Sequence, residues 1–267
     1  MAIQPFFALS TDTYFVRRIH RAGITQTYAY SPKPERCETI GVPDASIDIR
    51  FDYSEDGVQA LVLGPVSHHS ELQTQPGHFY SGVRFDPGIL PPFIEGRFSD
   101  FIEKEIPLGD CLADRELKQE LKHARHSDLQ TALLVRSMTH LSLTERENRR
   151  ETMLQDMVQL IIQSDGCVRI DKLARQLKYS PRYIDKVFHQ ALGVSPKQFC
   201  QAIRFQRTLF ELTHGQTDIK MVDLAQACGY YDQAQMTRYF KSATTLTPKK
   251  YRNQIVKSQY EKKFVNY

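Results

Sequence analysis

The chain has 267 residues, of which 41% are hydrophobic and 25% charged, and a formal net charge of +4. This length is enough for two domains with separate cores. Neither a signal-peptide pattern nor a run of eighteen apolar residues occurs, so we predict a cytoplasmic protein without a membrane partner.

The cysteines are Cys37, Cys111, Cys167, Cys200 and Cys228. Their odd number and wide spacing exclude a paired zinc or dithiol motif, so we interpret them as reduced packing residues and expect no cofactor.

Strand patterns fill the first 85 residues. Five segments alternate or run apolar between turn signals, at 13–16, 27–30, 47–51, 59–63 and 79–85. They predict a small antiparallel barrel or sandwich within a first domain at 1–112. Four strand aromatics are candidates for lining an effector pocket: Tyr14, Tyr28, Phe51 and Tyr80. The alternative is plain core, which is the commoner role of aromatic residues in strands.

A metal site in this barrel would need several ligands from one strand face. His68, His69, Glu71 and His78 lie close in sequence. In an extended segment, however, His68 and His69 point to opposite faces. We therefore interpret them as ordinary loop residues and predict no metal. Phosphate-cradling glycine loops, nucleophile elbows and useful Cys–His pairs are also lacking, so catalysis is not expected.

Residues 113–149 predict a helical connector. Leu117, Leu121 and Ala124 form one apolar stripe. A second stripe comprises Leu129, Leu133, Leu134, Met138 and Leu141. The stripes could cover their own domain, which we favour, or a second subunit in a homodimer. Residues 142–150 are the expected hinge, and a helix over 150–163 begins the next domain.

A helix-turn-helix pattern occurs twice in residues 170–251. The first copy contains Leu173-Ala174, Ser180, Phe188 and Gly193-Val194-Ser195-Pro196; the second contains Leu224-Ala225, Asp232, Phe240 and Thr245-Leu246-Thr247-Pro248. Ser180 and Asp232 are good helix N-caps, and Gly229 is suited to ending a helix. Each copy therefore predicts two short helices with a shared core, the second helix presenting a polar or basic face.

These residues carry a family resemblance. The runs Gly229-Tyr230-Tyr231-Asp232-Gln233, Arg238-Tyr239-Phe240-Lys241 and Thr247-Pro248-Lys249-Lys250-Tyr251-Arg252 resemble the signature of the AraC/XylS transcriptional regulators, over residues 150–253. The resemblance implies two helix-turn-helix units joined by a helix at about 196–212, which enter successive major grooves on one face of double-stranded DNA.

The reading residues follow from the resemblance and from the polar faces. They are Arg182, Asp185 and Lys186 in the first unit, and Gln233, Ala234, Thr237, Arg238 and Lys241 in the second. The alternative is that these are merely solvated faces, which the duplication disfavours. Asp185 is an unusual reader because a carboxylate is repelled by phosphates.

The chain departs from the family pattern at three positions. Thr245 stands where the family usually has glycine, Ala234 where it has serine, and Thr208 where it has alanine. The first departure predicts strain, because a left-handed turn favours glycine.

The two halves of the chain differ in net charge. Residues from Glu145 onward include 21 lysines and arginines and 12 acidic residues, a net charge of +9, whereas residues 1–144 have a net charge of −5. The basic half can attract phosphates. We assign 150–254 to the DNA-binding domain and 255–267 to a basic tail. Its lysines, Lys257, Lys262 and Lys263, are expected to fray in solvent.

The segment 82–88, followed by 105–108, resembles the cupin-like amino-terminal domain of one subgroup of these regulators. The fold prediction is therefore α+β: an antiparallel cupin-like barrel, a helical connector and an all-α domain with two helix-turn-helix motifs. The functional prediction is a transcriptional regulator, an activator by resemblance, with DNA, RNA polymerase and a small-molecule effector as partners. The alternatives are an effector-independent or architectural DNA-binding protein with a structural barrel and, less favoured, a metal-dependent cupin enzyme fused to a DNA-binding domain.

Overall fold

The computed structural model describes residues 3–36, 38–124, 126–144, 149–215 and 218–266. The amino-terminal part contains helix α1 (Pro5–Leu9) and strands β1 (Tyr14–Arg21), β2 (Ile24–Tyr30), β3 (Glu38–Gly41), β4 (Asp48–Ser54), β5 (Gly57–Leu63), β6 (Ser70–Gln73), β7 (Phe79–Phe85) and β8 (Glu105–Pro107). The connector contains α2 (Leu108–Cys111), α3 (Arg115–His123) and α4 (Ser127–Thr144). The five predicted strands are all present, and β3, β6 and β8 are additional.

A seven-stranded sheet is the main feature of the amino-terminal part. Its strand order is β8-β5-β4-β7-β2-β1-β9, where β9 is Phe264–Asn266. Strands β3 and β6 pair separately. Strand β9 lies parallel to β1, and the remaining pairs are antiparallel. Within the described residues β8 and β9 are open edges, so the closed barrel is not confirmed and the fold is a mixed α+β one with a large sheet.

The connector covers its own sheet. Leu117, Leu121, Leu133, Leu134 and Met138 are buried in the same apolar cluster as sheet residues of β4 and β7. Leu129 differs from the prediction, since its side chain is 50% exposed. The side chain of Leu141 and hinge residues 145–148 lie outside the described part of the chain. Both predicted helices therefore form, and their buried stripes face the same chain.

The carboxy-terminal part is helical. It contains α5 (Arg149–Gln163), α6 (Ile170–Leu177), α7 (Pro181–Leu192), α8 (Pro196–His214), α9 (Met221–Ala227), α10 (Gln233–Thr244) and α11 (Pro248–Lys257). The Ser180 hydroxyl accepts a hydrogen bond from the Tyr183 amide, and the Asp232 carboxylate accepts one from the Gln235 amide. Two capped helix-turn-helix pairs thus flank the long helix α8. None of the described helices has both the length and the apolar content needed to span a membrane.

The two parts share their cores. Phe199 and Ile203 of α8 belong to the cluster that contains Phe85 of β7, while Phe205 and Leu209 belong to the cluster around Tyr28 of β2. The Gln206 side chain accepts a hydrogen bond from the Ile3 amide at 2.6 Å and donates one to the Pro43 carbonyl at 2.7 Å. Helix α8 is therefore fastened to the sheet as well as to both helix pairs.

The expectation of a frayed tail is wrong. A 3-10 turn at Tyr260–Lys263 leads into β9, whose Phe264 is in register with Tyr14. The Lys263 amino group is buried and donates to the carbonyls of Ala8, Leu9 and Thr11. Its hydrogen-bond partners include three main-chain carbonyls, which a run of lysines in the sequence does not reveal.

Three of the cysteines are buried. They are Cys111, Cys200 and Cys228, whereas Cys167 is exposed and Cys37 lies outside the described residues. All four described thiols are free. Burial raises the pKa of Cys200 to about 11. The interpretation as packing residues thus fits three of the four described thiols.

Candidate nucleic-acid interface

Helix α7 presents the first predicted reading face. Its inner side is buried, with Phe188 packed edge-on against Phe199 of α8 at 5.7 Å between ring centroids. The outer residues Arg182, Asp185 and Lys186 are exposed. Because the apolar residues of α7 recur at helical spacing and are buried, the side chains predicted to contact DNA bases lie on its exposed side.

Helix α10 presents the second face in the same way. Phe240 is fully buried and contacts Phe205 of α8 and Tyr251 of α11. The second set of readers lies on the outer side: Gln233, Ala234, Arg238 and Lys241 are exposed and Thr237 is half-buried. The two sets therefore occupy two separate helices, which contact α8 at Phe199 and at Phe205.

Residues outside the strands of the amino-terminal part contact the far ends of these helices. A Cβ built on Gly193, after α7, would lie 2.7 Å from Ser99 Cβ, and His69 Nδ1 lies 3.0 Å from the Ser242 carbonyl of α10. These contacts lie at or beyond the carboxy-terminal ends of the helices. The amino-terminal turns, which hold Arg182 and Gln233, remain exposed.

Thr245 has the backbone conformation that the sequence predicts to be strained. It ends α10 with φ 65°, and Gly193 ends α7 with φ 68°. Thr245 therefore occupies a left-handed position where a β-branched side chain is disfavoured. The fold of the second unit is retained despite it.

Asp185 faces a partner on its own helix. Its Oδ2 lies 3.6 Å from His189 Nδ1, one turn further along. When His189 is protonated, part of the carboxylate charge is offset there. Both side chains are at least half exposed, so this pair contributes little to stability.

Sequence reasoning missed two exposed tyrosines. Tyr179 and Tyr231 directly precede the N-caps Ser180 and Asp232, and Tyr231 is 93% exposed. A tyrosine hydroxyl can donate to a DNA phosphate. The available signal was the aromatic residue repeated before each cap.

The four effector candidates do not form one pocket. Tyr14, Tyr28 and Tyr80 pack around Tyr30 on one side of the sheet, at 5.5–6.4 Å between ring centroids. Phe51 pairs with Ser81, whereas its neighbour Asp52 pairs with Tyr80, so Phe51 points to the opposite side. The proposed convergence is therefore wrong, and all four side chains are buried core.

A buried charge network lies beside these tyrosines. Arg84, 1% exposed, donates two hydrogen bonds to Asp48 at 2.8 and 2.6 Å, and the Tyr28 hydroxyl donates to the same carboxylate at 3.0 Å. Burial raises the pKa of Asp44 to about 6, against the attraction of Arg84, which lies 3.7 Å away. The sequence pattern does not identify this network, because its members are far apart along the chain.

The histidines are dispersed. His78 Nδ1 lies 2.7 Å from Asp52 Oδ1, while His69 is directed at α10. In the part of the chain that the structure describes, no three His, Cys, Asp or Glu side chains are grouped as metal ligands would be.

Comparison with known proteins finds family matches for two regions of the chain. Residues 173–254 match the family described as a helix-turn-helix domain, and residues 15–107 match a domain of unknown function, DUF6597. The chain is 29% identical over 85 residues to YtdP of Bacillus subtilis, an uncharacterized HTH-type transcriptional regulator, covering 32% of this chain and 11% of that protein. It is 25% identical over 117 residues to the Msm operon regulatory protein of Streptococcus mutans, covering 43% of this chain and 41% of that protein. The chain thus spans less than half the length of each of these relatives.

Two solved structures are also similar. The C-terminal domain of AraT, a response regulator from Geobacillus stearothermophilus, is 24% identical with a TM-score of 0.36, covering 40% of this chain and 88% of that one. ToxT from Vibrio cholerae is 12% identical with a TM-score of 0.45, covering 92% of this chain and 99% of that one.

The match over 173–254, together with two capped helix pairs on one long helix, defines a helix-turn-helix DNA-binding domain. It is an AraC-type domain, as the sequence motifs predict.

Proposed function

We propose that this protein is a sequence-specific transcriptional regulator, an activator, that reads two successive major grooves and responds to a small molecule through its amino-terminal part. The observation that carries the proposal is the placement of two exposed polar faces, on α7 and α10, along one continuous helix. Double-stranded DNA is the main partner, and RNA polymerase is the partner through which an activator acts.

The length of α8 supports reading of two grooves. Its 19 residues, at about 1.5 Å each, extend roughly 28 Å. One turn of DNA separates successive major grooves by about 34 Å. Both helix pairs pack on α8, and a spacing of their reading helices near one turn of DNA is part of the proposal.

The side chains suit base edges and phosphates. Arg238 and Lys186 can donate to guanine, and Gln233 can pair with adenine. We assign contacts with the DNA backbone to Lys241, Tyr179 and Tyr231, and the net charge of +9 after residue 144 favours approach to phosphates. Specific and general contacts are thus assigned to different residues.

The packed aromatic cluster supports one alternative. Because Tyr14, Tyr28 and Tyr80 are buried against one another, the interior of the sheet can be purely structural. The regulator would then act without an effector in that interior. The apolar stripes of the connector are buried within the same chain. This burial supports a role in covering their own domain rather than in forming a homodimer interface.

Footprinting of the full chain on a DNA site selected from a random duplex pool tests the proposal. We expect two protected blocks on one DNA face, about one helical turn apart. Inserting half a turn between the blocks should lower affinity at least tenfold, whereas changing the central sequence at constant spacing should not. A single short block, or binding that tolerates the insertion, would contradict reading of two grooves.

A further inference from the structure

A cleft of about 500 Å³ lies between the sheet and the helical part. One wall comes from β2 and the segment after β7, including Thr25, Asp86 and Ile89. The other wall comes from α5 and α8. Its volume is within the range of small-molecule sites. Any occupant would touch the amino-terminal part and the DNA-binding helices at once.

The helical wall combines apolar and polar side chains, and its apolar residues form a stripe. Leu154, Val158 and Ile162 follow one another at four-residue spacing along α5, and Ile203 and Phe210 contribute from α8. This spacing places the three α5 side chains on one face. The cleft therefore offers an apolar floor to its occupant.

The opposite wall carries a fixed negative charge. Asp86 accepts a hydrogen bond from the Thr25 hydroxyl at 2.6 Å, and its amide donates to the Gly23 carbonyl at 2.8 Å. Thr25 is uncharged, and among the described residues Asp86 forms no ion pair. The carboxylate is positioned, but its charge is not offset by a protein cation.

Among the described residues that line the cleft, the arginine is Arg207, and it already forms ion pairs within the protein. Arg207 pairs with Asp165 at 3.3 Å and with Glu211 at 2.7 Å. Two carboxylates thus surround one guanidinium, which leaves no surplus positive charge for an anion. With His20 counted as neutral, the charged residues that line the cleft are Asp86, Asp165 and Arg207, a balance that favours a cation over a carboxylate ligand.

We propose that this cleft binds a largely apolar amine, whose ammonium group pairs with Asp86 and whose hydrocarbon part lies on α5. The role of that amine as an effector rests on the proposed function. A ligand held by both walls stabilises the arrangement in which sheet and helices are docked, and can therefore bias DNA binding.

Calorimetric titration of the full chain with 2-phenylethylamine tests the site, with 3-phenylpropionate as the probe of opposite charge. We expect saturable binding of the amine and at least tenfold weaker binding of the carboxylate. Asp86→Asn keeps the acceptor for Thr25 and should weaken amine binding at least tenfold. Asp56→Asn, in the exposed β4–β5 turn, is its control and should change binding less than twofold.

Filling the cleft gives an independent measurement. Gln159 is exposed and lines the cleft, so Gln159→Trp should abolish amine binding, whereas Gln163→Trp, one turn further along α5, should not. Circular dichroism and thermal melting check that each variant is folded. Absence of amine binding to the unmodified protein, equal binding of the carboxylate, or undiminished binding by Gln159→Trp would overturn the proposal.

DNA affinity, measured with and without the amine, separates this inference from the proposed function. A shift of at least threefold, lost in Asp86→Asn, is the expected result. Specific DNA binding by a protein that ignores the amine would overturn the effector site alone. Failure to bind any selected DNA would overturn the proposed function, even if the amine binds.

Discussion

At the scale of single residues, the two reading helices end in the same backbone conformation with different side chains. Gly193 has no Cβ to strain the left-handed turn, whereas Thr245 has a branched one. The sequence predicts this difference because the Ser-Pro and Thr-Pro closures align the two copies. It does not predict that Gly193 also lies against Ser99 and Ile102 of the amino-terminal part.

Thr245→Gly should stabilise the protein. Removing the side chain relieves a left-handed strain, so the free energy of unfolding should rise by about 0.5–1 kcal/mol. Urea unfolding followed by circular dichroism measures this change. Gly193→Ala is the opposing variant and should destabilise by more than about 1 kcal/mol, because its Cβ would lie 2.8 Å from Ile102 Cδ1. A less stable Thr245→Gly protein would contradict the strain.

Arg238→Ala should affect specificity. If Arg238 pairs with guanine, its loss costs about 1–3 kcal/mol on the selected site and relaxes preference at one base pair. Lys241→Ala is the matched control on the same helix. It should weaken binding to selected and random DNA alike and reduce the salt dependence. Equal loss of affinity for both DNAs in Arg238→Ala would refute its assigned role.

At the scale of elements, a helix or strand could be predicted from the sequence when the contacts that determine it lie close together along the chain. The reading helices were predicted because Ser180 and Asp232 cap them and apolar residues recur at helical spacing. Strands β3, β6 and β8 have four residues or fewer, too short for a periodic signal. Strand β9 was missed because its pairing with β1 depends on residues at the other end of the chain. The position of Phe51 likewise depends on strand register.

Lys263→Ala should weaken the attachment of β9. The substitution leaves the carbonyls of Ala8, Leu9 and Thr11 without their buried donor, at a cost of about 1–3 kcal/mol. Denaturant unfolding and hydrogen exchange at β1 measure the effect. Lys262→Ala, at the exposed neighbouring position, is the control and should stay within about 0.5 kcal/mol. Equal effects of the two substitutions would show that the buried amino group contributes nothing.

At the scale of the whole molecule, the two parts are held together by shared apolar clusters. The separation of a basic half from an acidic half predicts that residues 145–267 bind DNA alone and that an effector acts through residues 1–110 and the helices at 114–143. Phe199, Ile203 and Tyr260 are buried in clusters that include sheet residues. Removing the sheet would expose these side chains, so the isolated helical part loses some of its packing.

The fragment 145–267 should therefore keep its sequence preference but bind more weakly than the full chain. The reading faces lie within the fragment, whereas part of the support for α8 is lost with the Gln206 bonds to Ile3 and Pro43. Parallel DNA titrations and melting curves of fragment and full chain measure both properties. A fragment as stable and as tightly bound as the full chain would mean that the docked sheet supports nothing. An amine response retained by the fragment would contradict the placement of the sensor.

The parallel pairing of Tyr14 with Phe264 joins residues about 250 positions apart. Closing so long a segment has a large entropic cost before any contact compensates for it, so this pairing should form late in folding, after the helix pairs and the β4–β5 hairpin. Once formed, it ties the sheet edge to the end of the helical part. Because sheet and helices also share apolar clusters, we expect them to unfold together, with the slowest folding step assigned to the arrival of β9.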